Sequence, residues 1–357
     1  MNKTEIKNFQ QDLLEWYNIH KKPLPWRKTT AAYSVWISEI MSQQTQVETV
    51  MPYYLRFIEK YPSIEALAEA DDDELLKLWE GLGYYSRARN LKIAAQQVVT
   101  NFHGTFPESL EEIKSLQGIG PYTAAAIASI SFGLPEPAID GNLMRVTSRL
   151  FEIDADISKA SSRKIFDQQL RELISQEHPG DFNQALMDIG STVCTPKIAK
   201  CDICPLAEYC QARLEGTQLK YPVKSKKIKQ QHLYYTAYAL KNSRGEYYLE
   251  RRPSTGLLAN MWTFPMQEMS KEEFESEVLP APSNLPDSIS RLRKIGEITH
   301  VFSHLKWFVQ VIECTPEENF MVKEEKLEDN QLWVKISDLT KVALPTPQVK
   351  MFKLFKD

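Results

Sequence analysis

"LQGIGPYTAAAI", residues 116–127, is the stretch on which the fold turns. Gly118 and Gly120 admit backbone angles closed to other residues, and Pro121 suits the first turn of a helix, where its missing N–H costs nothing. A helix that starts this way leaves backbone N–H groups pointing outward, able to cradle a phosphate. A plain connection between two helices has the same spelling, so the stretch acquires meaning from its downstream neighbour, Asp140 in "EPAIDGN". Asp-Gly is a turn dipeptide, and this aspartate is a natural N-cap for "NLMRVTSRL".

The same helical period extends outward from this stretch. From residue 4 to about residue 213, apolar positions recur at three and four, as in "WISEIMSQQTQVETVMPYYLRFIEKY" and "SSRKIFDQQLRELISQ". Breakers such as "KKPLPWR", "EGLGYYSR" and "LPEPAIDGN" punctuate it, and strand signals are scarce. Residues 1–215 are therefore expected to form an all-α domain. Residues 216–232, "GTQLKYPVKSKKIKQQH", hold five lysines and no acid and read as a basic, solvated linker. Beyond it the period changes. "LYYTAYAL" and "YYLERRP" predict a hairpin across "KNSRGE", and "LKWFVQVIEC" predicts another strand, making 233–357 an α+β domain.

At 357 residues the chain has room for two ordinary domains, and 43% hydrophobic with 25% charged residues is a globular composition. The mean hydropathy of −0.39 agrees, and no run is long and apolar enough to span a membrane. The opening "MNKTEIKNFQQDLLEWY" lacks the basic and apolar regions of a signal peptide, which predicts a cytoplasmic protein without a membrane partner, working as a monomer. The net charge of −4 excludes a chain-wide basic footprint, so any nucleic-acid contact must rest on local patches.

Four of the five cysteines are Cys194, Cys201, Cys204 and Cys210, spaced C-x6-C-x2-C-x5-C, while Cys314 stands apart as a core residue. Four thiolates hold either zinc or an iron–sulfur cluster, and this spacing alone does not separate the two.

A helical domain carrying a glycine hairpin, an aspartate 20 residues on and this cysteine spacing resembles the endonuclease III superfamily of helix–hairpin–helix DNA glycosylases. The resemblance implies a [4Fe-4S] cluster on the four cysteines and a hydrogen-bonding role for Gly118 and Gly120 on the DNA backbone. Members that cleave strands carry a lysine where this chain has Tyr122. Its absence implies base removal by hydrolysis without strong lyase activity. "LPWRKTTAAYSVWISEIMSQQTQV" is similar to the adenine-specific branch, which implies Glu39 as the acid that protonates the leaving purine and Asp140 as the stabiliser of positive charge at C1′. The same likeness makes Asn142 and Tyr122 orienting neighbours and places Trp26, Arg27 and Gln184 around the adenine. The target base must be flipped from the stack, and Gln44 and Tyr84 are the residues implied to fill the gap.

"STGLLANMWTFP" with "HVFSHLKW" resembles a Nudix-like domain, yet "MQEMSKEEFESEVL" lacks the glutamate arrangement that binds magnesium. That points to a recognition module and not a second active site, and the resemblance implies that Phe302, Ser303 and His304 read 8-oxoguanine opposite the adenine. The resemblance is strong over about 20–215, good at 254–265 and 300–307, and thin at 266–297. Together these features imply an adenine glycosylase acting on duplex DNA with A:8-oxoguanine or A:G mispairs. The rivals are a strand-cleaving pyrimidine glycosylase and a silent lesion-binding protein; Tyr122 stands against the first, and the pair of Glu39 and Asp140 against the second.

Overall fold

The computed structural model describes residues 1–225, 230–282, 289–316 and 329–355, and the linker residues 226–229 lie outside that set. The chain divides into two compact units, Met1–Glu69 with Asn90–Lys226 and Ala70–Arg89 with Lys227–Asp357. Among the described residues no helix is long and apolar enough to cross a membrane.

The first unit is helical, as its period predicts. Its central element is the helix Pro121–Phe132, in which every residue from Thr123 to Ser129 is buried. A helix apolar on all sides belongs in the middle of a core, and its alanines let neighbours approach closely. The helix Ala32–Ser42 packs against it, which carries Glu39 toward Tyr122. A second cluster gathers Phe9, Leu13 and Tyr17 of the helix Lys3–His20 with Leu143, Phe166, Phe182, Leu186 and Ile189, and Cys194, Cys204 and Cys210 pack on its margin. The chain from 216 to 225 is tied to this unit: Ile157 N–H donates to the Val223 carbonyl at 3.0 Å, and Ser225 Oγ bonds Asp156.

The second unit holds two sheets. One is mixed, in the order β4 (Met266–Met269), β1 (Gln231–Leu240), β6 (Leu305–Pro316), β5 (Ile289–Val301); the other is antiparallel, β3 (Trp262–Thr263), β2 (Tyr247–Arg251), β7 (Gln331–Val334). A core of Leu249, Trp262, Phe264, Trp307, Val309, Val311 and Phe352 is shared between the sheets. Cys314 is fully buried, as expected.

Two expectations differ from the structure. The predicted β1–β2 hairpin opens: the turn forms, with Asn242 N–H donating to the Glu246 carbonyl at 2.9 Å, but only the bridge Lys241 to Tyr247 joins its arms. β6 runs parallel to β1 along its whole length and β4 occupies the other edge, so β2 has no edge left and enters the second sheet. Residues 70–89, read as part of the helical domain, group with the strands. Asp73 pairs with Arg251 at 2.8 Å, Lys77 Nζ donates to the Val342 carbonyl at 3.1 Å, and Arg89 donates to the Ala259 carbonyl at 2.8 Å. These polar bonds to residues far along the chain leave no trace in the helical periodicity of the segment.

The hairpin glycines also differ from each other. Gly118 has φ +78°, and a Cβ there would lie 2.7 Å from Asn90 Cβ. Gly120 is an ordinary extended N-cap at φ −85° with open space around it. Gly118→Ala is therefore expected to cost about 2–4 kcal/mol through left-handed strain and overpacking. Gly120→Ala is expected to cost only about 0.5–1 kcal/mol, the N-cap preference. Denaturant unfolding of the two variants checks the difference.

Candidate active site

Helix Ala32–Ser42 presents Glu39 from a wall of buried Trp36, Ile37, Ser38, Ile40 and Met41. The Tyr122 hydroxyl, one residue into its helix, donates to Glu39 Oε2 at 2.6 Å and lies 3.8 Å from the Met187 sulfur. Burial drives the Tyr122 phenol well above its usual range, so it stays a neutral donor. Burial likewise raises Glu39, the nearby Asp140 adds to the rise, and Tyr122 and Arg27 oppose it.

Asp140 caps the helix Gly141–Phe151, as its sequence predicts. Its Oδ1 accepts from the backbone N–H groups of Asn142 (2.9 Å) and Leu143 (2.7 Å), and its Oδ2 accepts from the Asn142 amide at 2.8 Å. Burial raises Asp140 too, against these donors and the charge of Arg145. Two neighbouring buried carboxyls do not both ionise readily. Each carboxyl feels one arginine, but Asp140 has three hydrogen-bond donors where Glu39 has one neutral donor. The donors therefore favour the charge on Asp140 and the proton on Glu39.

Behind Asn142 stands a residue that the sequence reading missed. Arg145 Nη2 donates to Asn142 Oδ1 at 2.9 Å and to the Gly190 carbonyl at 2.6 Å, while its Nε reaches the Cys194 carbonyl at 2.9 Å. A side chain at Gly190 would strike Asn142 Cβ at 2.7 Å, so that glycine permits the approach. Arg149, one turn on, donates to Cys194 Sγ at 3.2 Å and to the Thr195 carbonyl at 2.9 Å. Both arginines sit on the face of their helix set by Asn142, at i+3 and i+7, a spacing that could have flagged them.

Arg27 forms a fork with Asp188, at 2.7 and 2.8 Å, and its guanidinium lies 5.6 Å from the centre of the Tyr17 ring. Asp188 was also missed; it falls four residues after Gln184, on the same face of the helix Pro179–Thr192. Trp26 is buried edge-on to Tyr54, their centroids 5.2 Å apart. Gln184 is half-buried, and Gln44 is exposed with φ +56°. Gly118 and Gly120 are exposed on either side of buried Ile119. No side chain caps the helix at Gly120, so its first N–H groups face outward.

Cys194, Cys201, Cys204 and Cys210 line one small cavity together with Arg149, Arg213 and Gln218. All four are free thiols, and burial pushes Cys204 up to about 12 and raises Cys201 and Cys210. Such thiols ionise only when a cation is bound between them. Among the described residues no three His, Cys, Asp or Glu side chains close on a single metal-ion position. Four thiols around one cavity are a donor set that fits an iron–sulfur cluster or a zinc ion.

The second unit carries the remaining site residues. Phe302–Leu305 is a tight turn between β5 and β6, closed by Phe302 N–H donating to the Leu305 carbonyl at 2.8 Å, with Ser303 and His304 exposed at its tip. Tyr84 has φ +47°, and its hydroxyl hydrogen-bonds Ser303 Oγ. Both residues line a cavity of about 440 Å³ with Leu258, His300 and Pro347.

The helical fold with its capped aspartate and buried glutamate defines a DNA glycosylase of the helix–hairpin–helix class. Residues 37–175 match the family described as HhH-GPD superfamily base excision DNA repair protein, and residues 236–354 match the NUDIX domain. A solved structure of a thermostable thymine-DNA glycosylase is similar to the chain at 28% identity and a TM-score of 0.55, covering 59% of this chain and 98% of that one. Relatives over the whole length narrow the class. The chain is 34% identical to the adenine DNA glycosylase of Buchnera aphidicola (subspecies Schizaphis graminum), over 98% of this chain and 99% of that protein. It is 33% identical to the Homo sapiens adenine DNA glycosylase, over 99% of this chain and 74% of that protein. The chain belongs to the adenine DNA glycosylase family, enzymes of base excision repair.

Glu39 binds its proton more tightly in the folded protein than in the unfolded chain. Stability on its account is therefore full below the ordinary carboxylate range and falls as pH rises toward the raised folded value. Glu39→Gln removes that loss. The variant is expected to melt above wild type at about pH 7 and to lose the advantage toward about pH 4, where both side chains are neutral. Thermal melts across that range check it.

Proposed function

We propose that the chain removes adenine, mispaired with 8-oxoguanine or guanine, from duplex DNA by hydrolysis, as a monomer and without strong strand cleavage. The observation that carries this reading is the half-buried Glu39, accepting from the Tyr122 hydroxyl near an Asp140 that is held by three donors.

The flipped adenine enters among Trp26, Arg27 and Gln184. Glu39 gives its proton to the purine as the glycosidic bond lengthens, so the base leaves neutral. Positive charge grows on the sugar, and the Asp140 carboxylate, rigid as a helix cap, offsets it. Asn142 fixes the direction of Asp140, and Tyr122 fixes that of Glu39. Water then completes the exchange at C1′. A tyrosine phenol whose pKa burial has pushed up is no amine, so no Schiff base can form at position 122. Gln44 and Tyr84 occupy the gap in the stack; the left-handed backbone at both favours this reading, because strain of this kind gathers at functional positions. Gly118 and Gly120, beside open helix N–H groups, grip a phosphate. Phe302, Ser303 and His304 read the base opposite the adenine, with Ser303 donating or accepting at its modified edge.

Cys194, Cys201, Cys204 and Cys210 would hold a [4Fe-4S] cluster, and Arg149 would stand beside its sulfur ligands. Such a group would supply a structural cross-link to the loop 194–210, with no open position for hydrolysis.

A duplex with adenine opposite 8-oxoguanine tests the reading. Strand breaks are expected only after alkali, with base release falling as pH rises through the raised range in which Glu39 loses its proton. Breaks without alkali would mean a lyase, and no release would mean a binder. Glu39→Gln and Asp140→Asn are expected to lower single-turnover release by at least about a hundredfold while leaving duplex affinity within a few-fold. Wild-type rates in either variant would sink the assignment. The freshly purified protein is expected to show a broad visible absorption band that Cys204→Ser removes; a colourless, zinc-containing protein would rule out the cluster.

A further inference from the structure

The turn that carries Ser303 stands on an aromatic base outside the catalytic residues. The His300 and Phe302 rings meet edge to face, with centroids 4.6 Å apart at 74°. Phe302 meets Trp307 in the same manner, at 4.9 Å and 67°. His300 and Trp307 are direct cross-strand partners in the β5–β6 ladder, so their rings rise from one rung on either side of Phe302. Trp307 is almost fully buried, and the guanidinium of Arg252 lies 5.7 Å from its ring centre. The Phe302 carbonyl in turn accepts from the Gln230 side chain at 3.0 Å.

This arrangement carries a cost. His300 Nδ1 and Trp307 Nε1 are both buried, and neither has a hydrogen-bond partner among the described residues. Unpaired polar atoms in a core lower stability, and hydrocarbon rings would fill the same space without that loss. Burial, with Lys350 alongside, lowers the imidazole pKa to about 4, so the ring is neutral and packs as an aromatic edge. His300 also lines the cavity that Ser303 and Tyr84 share.

We propose that His300 is a positioning residue for lesion discrimination: with Trp307 it clamps the Phe302 ring and so fixes where Ser303 sits at the tip of the turn. This rests on the reading of that turn as the reader of 8-oxoguanine. A floppy Phe302 would let the tip wander, and a misplaced hydroxyl contacts guanine and 8-oxoguanine alike. Loss of the clamp should therefore erode the difference between the two duplexes more than it erodes binding as such.

The test measures the full-length protein's affinity for two duplexes, with a 2′-fluorinated adenosine that resists base loss placed opposite 8-oxoguanine or opposite guanine. His300→Ala is expected to lower the ratio of the two affinities about three- to tenfold, the scale of one aromatic edge contact. His300→Phe is expected to keep the ratio and raise the melting temperature, since it keeps the ring and removes the unpaired nitrogen. If His300→Ala does not fold, His300→Leu, which fills the space without an aromatic edge, is read in the same way. An unchanged ratio with both affinities reduced equally would make His300 merely structural. A ratio lost in His300→Phe would show that the ring edge is not what positions the turn. A wild-type protein without preference between the duplexes would overturn this inference together with the reading beneath it, whereas a wild-type preference that survives in His300→Ala overturns this inference alone.

Discussion

Two half-buried carboxyls lie near each other in the helical unit, and desolvation raises both, so stabilising groups for a second charge are scarce. That shortage organises the rest. Asp140 takes the donors: two backbone N–H groups, an amide and, through Asn142, the reach of Arg145. Glu39 is left with one hydrogen-bond donor, a phenol that burial keeps neutral, and the more distant charge of Arg27. The central alanine-rich helix and its neighbour Ala32–Ser42 stand at the separation that lets this phenol reach this carboxyl.

The strand-rich unit solves a different problem, the accurate presentation of a short turn. A long two-stranded ladder, β5 with β6, carries the turn out on a rigid base, and the parallel pairing of β6 with β1 anchors the ladder in a mixed sheet. Near the turn, regularity gives way to strain. Tyr84 adopts a left-handed backbone after Gly81 and Gly83, which are also left-handed. Polar atoms on the ladder go unpaired. Helices and strands bear the stability of this unit, and the places where it is given up cluster at the residues that meet the duplex in our reading.

Much of this was legible in the chain. The cap at Asp140, the proline-started helix at Pro121, the all-helical first half and the strand Leu305–Pro316 come from local rules of period and capping, and they stand in the structure where those rules put them. Glu39 needed resemblance, because a glutamate on an apolar helix face is ordinarily a half-solvated one. Beyond the reach of local rules lay pairings across long stretches of chain. Asp188 meets Arg27 across 161 residues, and Arg145 meets Cys194 across 49. The opened β1–β2 hairpin failed for a kindred reason: the turn chemistry was right, but the competing edge came from a strand some sixty residues downstream. Local patterns report what a segment can be; they are silent on who else claims its hydrogen bonds.

Residues 70–89 belong to the strand-rich unit although helical-unit sequence flanks them on both sides. Asp73, Lys77 and Arg89 each have a partner beyond residue 250. The two units are thus interleaved along the chain, not joined end to end. A recombination or truncation at the lysine-rich segment would strand twenty residues without their partners. The helical and strand-rich units can therefore diverge in sequence, but they cannot be shuffled as separate modules: whatever lineage carries this arrangement must inherit both together.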